Sequence, residues 1–182
     1  MGTEPRRRRA LWITLAAALL LAPVACKRRQ RSQAETKAGI HELLPASTIA
    51  VGDPQYSSQL IRGFYPIERS WRWTQKSFAV RLVAPSGSAQ KGAQLQLRFG
   101  IPDPLIRNLH SITLSAAVDG FQLPPQRYDK SGQFTYTRDI GADHLQANSI
   151  PVEFTLDRVM PPGPVDKREL GIVVTEVGLT AN

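Results

Sequence analysis

Past residue 60 the apolar side chains recur at every second position, and a period of two commits a chain to strands with one buried face. Phe78, Val80 and Leu82 are separated by Ala79 and Arg81, and Leu95, Leu97 and Phe99 by Gln96 and Arg98. Ile112, Leu114, Ala116 and Val118 continue the pattern, as do Val152, Phe154 and Leu156. Phe134 and Tyr136 mark a shorter strand, and Leu170, Ile172 and Val174 open a β-branched one that runs through Val177 to Leu179. Between these runs stand turn formers: Pro85-Ser86-Gly87-Ser88, Pro102-Asp103-Pro104, Asp119-Gly120, Pro124-Pro125, Ser131-Gly132 and Pro161-Pro162-Gly163-Pro164. Asp119-Gly120, between Val118 and Phe121, is the best hairpin signal. No stretch in this half shows a helical period.

About eight short strands, each with one apolar face, require a partner sheet, so the expected fold is all-β: an antiparallel two-sheet sandwich, jelly-roll-like, behind an N-terminal hydrophobic helix. A closed barrel is the alternative. The chain divides into residues 1–26, a signal peptide or membrane anchor, residues 27–58, a polar tether, and residues 59–182, the sandwich. Within the tether, Leu43, Leu44, Ile49 and Val51 could cover the first strand. The 182 residues leave about 140 beyond the N-terminal segment, enough to close one core without metal or disulfide staples.

The formal charge of +8 suggests nucleic acid until it is divided along the sequence. Residues 1–37 hold nine basic side chains against Glu4 and Glu35, whereas the remainder holds 14 basic and 13 acidic ones. Phosphate recognition needs the positive charge on the folded surface, so nucleic acid is excluded as a partner. The basic clusters instead bracket Ala10 to Cys26, which carries no charge and only Thr14 as a polar side chain. An arginine-rich start, an apolar middle and a small-residue end are the parts of a secretory signal.

Cys26 is the single cysteine. The run Leu21-Ala22-Pro23-Val24-Ala25-Cys26 resembles a bacterial lipobox, which implies lipidation of Cys26 and a lipoprotein. Pro23 stands where such motifs usually carry leucine, and Lys27-Arg28-Arg29 follow directly. An uncleaved single-pass anchor is the second reading, since 17 residues at ~1.5 Å each span about 26 Å of a ~30 Å hydrocarbon core. Simple cleavage after Ala25 with release is the third. The first reading places the domain outside the cytoplasm, periplasmic or at the cell surface, associated with a membrane; in the second, four arginines before the segment and Lys27, Arg28, Arg29 and Arg31 after it leave the anchor without an orientation from charge.

Gly63-Phe64-Tyr65-Pro66-Ile67-Glu68, then Trp71-Arg72-Trp73-Thr74, and finally Asp166-Lys167-Arg168-Glu169-Leu170-Gly171 resemble a bacterial β-sandwich module, jelly-roll and galactose-binding-like, that accompanies glycosyltransferases and surface-polysaccharide proteins. The resemblance covers roughly residues 60 to 180 and implies carbohydrate as a ligand class. Aromatic faces stack on the C–H face of a sugar ring, which makes Trp71, Trp73, Phe64 and Tyr65 candidates for glycan contact. The same spacing by two suits core aromatics of a sandwich. Glu68, Asp166 and Arg168 are the charged members of these motifs, and a carboxylate–guanidinium pair closing one end of the sandwich is the structural reading of them.

Catalytic patterns are missing. His41, His110 and His144 have no metal-binding spacing, no Gly-x-Ser-x-Gly is present, and no phosphate loop occurs. No cofactor or metal is expected. The sequence therefore points to a membrane-tethered, non-catalytic module that binds carbohydrate or associates with cell-envelope polysaccharide. The alternatives are a protein–protein docking subunit of an envelope complex and a small glycan hydrolase working with two carboxylates.

Overall fold

The computed structural model describes residues 45–182. The segment 1–26 with Cys26, residues 27–44 of the tether and His41 lie outside the described residues. Among the described residues nine strands form two sheets that share β3, so that the hydrogen-bonded path is continuous. They are β1 (Thr48–Ala50), β2 (Leu60–Phe64), β3 (Arg72–Val83), β4 (Ala93–Ile101), β5 (Ile112–Val118), β6 (Phe121–Tyr128), β7 (Gly132–Ile140), β8 (Ser149–Leu156) and β9 (Val173–Ala181). One sheet runs β2-β3-β8-β5-β6. In the other, β9 pairs on one side with β1 and the start of β3, and on the other with β4, which pairs in turn with β7. Every ladder is antiparallel. The architecture is the expected all-β sandwich.

The period of two explains the core. On β4 Ala93, Leu95, Leu97 and Phe99 are buried while Gln94, Gln96 and Arg98 face outward; on β8 Ile150, Val152, Phe154 and Leu156 are buried. Side chains from both sheets join one apolar cluster, in which Tyr128 of β6 meets Phe99 of β4 edge-on at 5.2 Å. Burying each such leucine or phenylalanine contributes about 1.5–3 kcal/mol. The two sheets are covalently continuous through β3, whose Arg72 and Trp73 pair with β9 while Ser77 to Val83 pair with β8. At this corner Thr74 is fully buried. Its hydroxyl donates to the Ile172 carbonyl at 3.2 Å and accepts from the Ile172 N–H at 3.1 Å.

Four local expectations change. Short helices α1 (Ser88–Lys91) and α2 (Asp103–Leu109) occur where none was expected, because four and seven residues are too few to show a helical period. Pro102-Asp103-Pro104 opens α2 rather than a simple turn; proline fits the first helical turn, where its missing N–H would have had no partner. Pro124-Pro125 lies inside β6, at a register shift opposite Ser115, and β6 is an edge strand, where a proline removes no ladder bond. The strand containing Phe134 and Tyr136 is nine residues long.

The stretch 45–58, assigned by composition to the tether, carries β1 and a 3-10 helix at Pro54–Gln59, with Ile49 and Val51 fully buried. Asp119-Gly120 forms the β5–β6 hairpin, both residues at positive φ, 47° and 83°. Among the described residues no helix is long and apolar enough to cross a membrane.

Candidate functional site

Trp71 and Trp73 come together with rings 6.2 Å apart at 82°, both half-buried, along one side of an open cleft of about 520 Å³. Their delivery begins three residues before Trp71. A tight turn pairs Glu68 with Trp71, with Glu68 N–H donating to the Trp71 carbonyl at 2.9 Å and Arg69 at a φ of 63°. The turn is packed so closely that a Cβ on Gly52 would lie 2.2 Å from the Ser70 carbonyl carbon. From there β3 carries Trp73 to the cleft, where its half-buried ring also packs against the margin of the apolar core.

The register completes the cleft floor. Trp73 stands opposite Val173 on β9, Val173 opposite Gly100 on β4, and Gly100 opposite Gln133 on β7. These four positions form a row across the strands. Gly100 matters because a Cβ there would meet the Gln133 Nε2 at 2.7 Å, so the glutamine side chain lies over the glycine. Asp103 at the start of α2, Ser131 and Thr175 add polar groups around this floor. Thr175 sits at a bulge in β9, where the ladder slips between Arg98 and Phe99, and its hydroxyl donates to the Arg98 carbonyl at 3.1 Å.

The other candidates are placed elsewhere. Phe64 packs edge-on against buried Phe78 at 5.4 Å and belongs to the core periphery. Tyr65 lies under the Arg168 guanidinium, 5.2 Å from the ring centre. Arg168 donates Nε and Nη2 to the two Asp166 carboxylate oxygens, at 3.1 and 2.8 Å, and Nη1 to Glu68 at 2.8 Å. The Asp166 carboxyl is held below its ordinary range, first by the Arg168 side-chain bonds and then by its bond to the Arg168 backbone N–H. Arg168 is correspondingly pushed up by Asp166 and Glu68. This cluster fastens the 161–170 loop to the turn that supplies Trp71, so it positions the cleft without lining it.

Trp71 and Trp73, candidates from sequence, line the cleft; Gly100, Gln133 and Thr175 are not among those candidates, and the sequence marks Asp103 and Ser131 only as turn residues. The available signal was Gly100 itself, a glycine where the outward phase of β4 calls for a side chain. Among the described residues no group of three His, Cys, Asp or Glu side chains is arranged to hold a metal ion.

No protein-family model matches the chain, and no curated protein matches it. Solved structures similar to it include a family 35 carbohydrate-binding module from an environmental isolate, at 14% identity and a TM-score of 0.37 over 76% of this chain and 87% of that one. A CBM4 structure matches at 12% identity and 0.39, over 74% and 85%. A structure of CBM51-2 with INT domains from Clostridium perfringens, in complex with GlcNAc, matches at 11% and 0.35, over 74% of this chain and 28% of that one. The assignment of a sandwich rests on the strand ladders themselves.

Proposed function

We propose that the protein is a non-catalytic glycan-binding module, held at a membrane outside the cytoplasm through lipidation of Cys26 once the segment before it has been removed. The observation that carries the reading is the pair of tryptophans set at a right angle over an open, polar-rimmed cleft. Indole faces supply apolar area for the C–H face of a sugar ring, and the rim supplies hydrogen-bonding groups for its hydroxyls. The cleft lining contains one carboxylate, Asp103, where glycoside hydrolysis ordinarily employs two. That favours binding over turnover.

Retention of the full chain on immobilised polysaccharide tests the cleft. Trp71→Ala, at a residue outside the core cluster, should abolish retention while circular dichroism stays native; Trp73→Phe, which keeps the packing of a half-buried ring, should weaken it. Retention unchanged in both variants would remove the tryptophans from the binding surface. For the attachment, labelled fatty acid should be incorporated into wild type and lost in Cys26→Ala together with the membrane fraction. Undiminished membrane association in that variant speaks against lipidation as the anchor.

A further inference from the structure

We infer that the ligand of the tryptophan cleft is an uncharged glycan chain lying across the strands, gripped at one end by Trp71 and Trp73 and read at the other by the Gln133 amide. This rests on the cleft being a glycan site and adds the chemical class and direction of what it takes. The row Trp73, Val173, Gly100, Gln133 crosses four neighbouring strands. Three inter-strand spacings of ~4.8 Å make about 14 Å, long enough for linked rings side by side rather than one alone. A right-angled indole pair closes one end of this track, since a ring stacked on one indole face abuts the edge of the other.

At the far end the amide of Gln133 offers both donors and an acceptor, a set that matches vicinal hydroxyls. It is placed by the missing side chain of Gly100, over which it lies. Charge sets the class of ligand. Asp103 is the one charged residue lining the cleft, and it is acidic. Arg98, two residues from Gly100 on the outward phase of β4, is paired to Glu176 at 3.4 Å, and Lys130 lies next to Ser131 without lining the cleft. A uronate or sulfated chain would thus bring negative charge toward Asp103 with no cation in the lining to receive it.

The test compares the full chain on gels of neutral xylan and galactomannan with gels of polygalacturonate and alginate, at low and physiological salt. Neutral gels should retain wild type and lose Trp71→Ala, whereas acidic gels should hold the two alike, through the nine basic side chains of residues 1–37 and only at low salt. Gln133→Ala and Gly100→Ala should each weaken neutral retention by about 2- to 10-fold with native circular dichroism, the second because its new methyl group displaces the amide. Asp103→Asn should raise the ratio of acidic to neutral retention, roughly threefold at low salt and less at high salt. Retention on acidic gels at physiological salt that Trp71→Ala loses as fully as on neutral gels overturns the inference, as does wild-type binding by both Gln133→Ala and Gly100→Ala on neutral gels that Trp71→Ala fails to bind; in either case the glycan reading stands. A wild-type chain retained by no gel overturns both.

Discussion

Tyr128 carries a cost that its surroundings do not offset. Its ring is needed, meeting Phe99 at 5.2 Å and Phe134 at 4.9 Å, yet its hydroxyl is buried without a hydrogen-bond partner among the described residues. Burial pushes its pKa up to about 12 from 10.0, with Arg138 opposing the shift. Because the folded value is the higher one, stability is level below pH 10 and falls as pH rises toward 12, where the unfolded chain has lost a proton that the native one keeps. Tyr128→Phe should therefore raise stability at neutral pH by about 1 kcal/mol and flatten the alkaline decline, measured by urea unfolding at a series of pH values. A variant less stable than wild type at pH 7 would mean that the hydroxyl finds a partner in solution. Asp166 works in the opposite sense. Its pKa is depressed, so its contribution is present above the ordinary 3.8 and is lost as pH falls through the folded value. Arg168→Ala should erase that acid-side dependence and lower the thermal midpoint, and a pH–stability curve unchanged below 4 would show the cluster to be idle.

At the scale of elements, the glycines separate two kinds of constraint. Gly63 and Gly120 share nearly the same φ, 79° and 83°. Around Gly120 a Cβ would meet nothing within 4 Å, whereas at Gly63 it would lie 2.1 Å from the Ser77 carbonyl oxygen, where β2 presses on β3. Gly120→Ala should cost about 1–2 kcal/mol from left-handed strain alone. Gly63→Ala should cost clearly more, because backbone must move as well; equal chemical-denaturation midpoints for the two would contradict the close approach. The elements also show which sequence signals are trustworthy. Alternation marked β4 and β8 because each keeps one register along its inward face. It lost phase in β9, where Val174 and Val177 are both buried three residues apart across the Thr175 bulge. Pro124-Pro125 looked like a turn because an edge strand tolerates what a central strand cannot. Both proline carbonyls are in use, accepting from Arg138, and that of Pro124 also from the Tyr136 hydroxyl at 2.9 Å, which ties β6 to β7 across the sheets. Tyr136→Phe should thus cost about 0.5–1.5 kcal/mol with the fold intact, by the same unfolding measurement. The site was half legible for a related reason. Trp71 and Trp73 stand two residues apart in sequence, but Gly100 and Gln133 join them only through pairings of β9, β4 and β7, and register between distant strands is not written in any local pattern.

For the whole molecule, the joint at Thr74 decides whether two sheets behave as one unit. Thr74 is fully buried where β3 leaves β9 for β8, and Ile172 has both backbone groups bonded to its hydroxyl. Thr74→Val preserves shape but strands the Ile172 N–H, at a cost of about 1–3 kcal/mol. Coincident fluorescence and circular dichroism transitions are expected for wild type; non-coincident ones in the variant would show that this bond couples the sheets. The same strand has a mechanical consequence. Trp73 sits near the beginning of β3, and the strand's remaining length is zipped to β8 from Ser77 to Val83. If the cleft binds glycan as proposed, the component of a pull directed along β3 would load those ladder bonds together in shear rather than peel them one by one. The stacking contacts would then yield to that component before the strand that bears them.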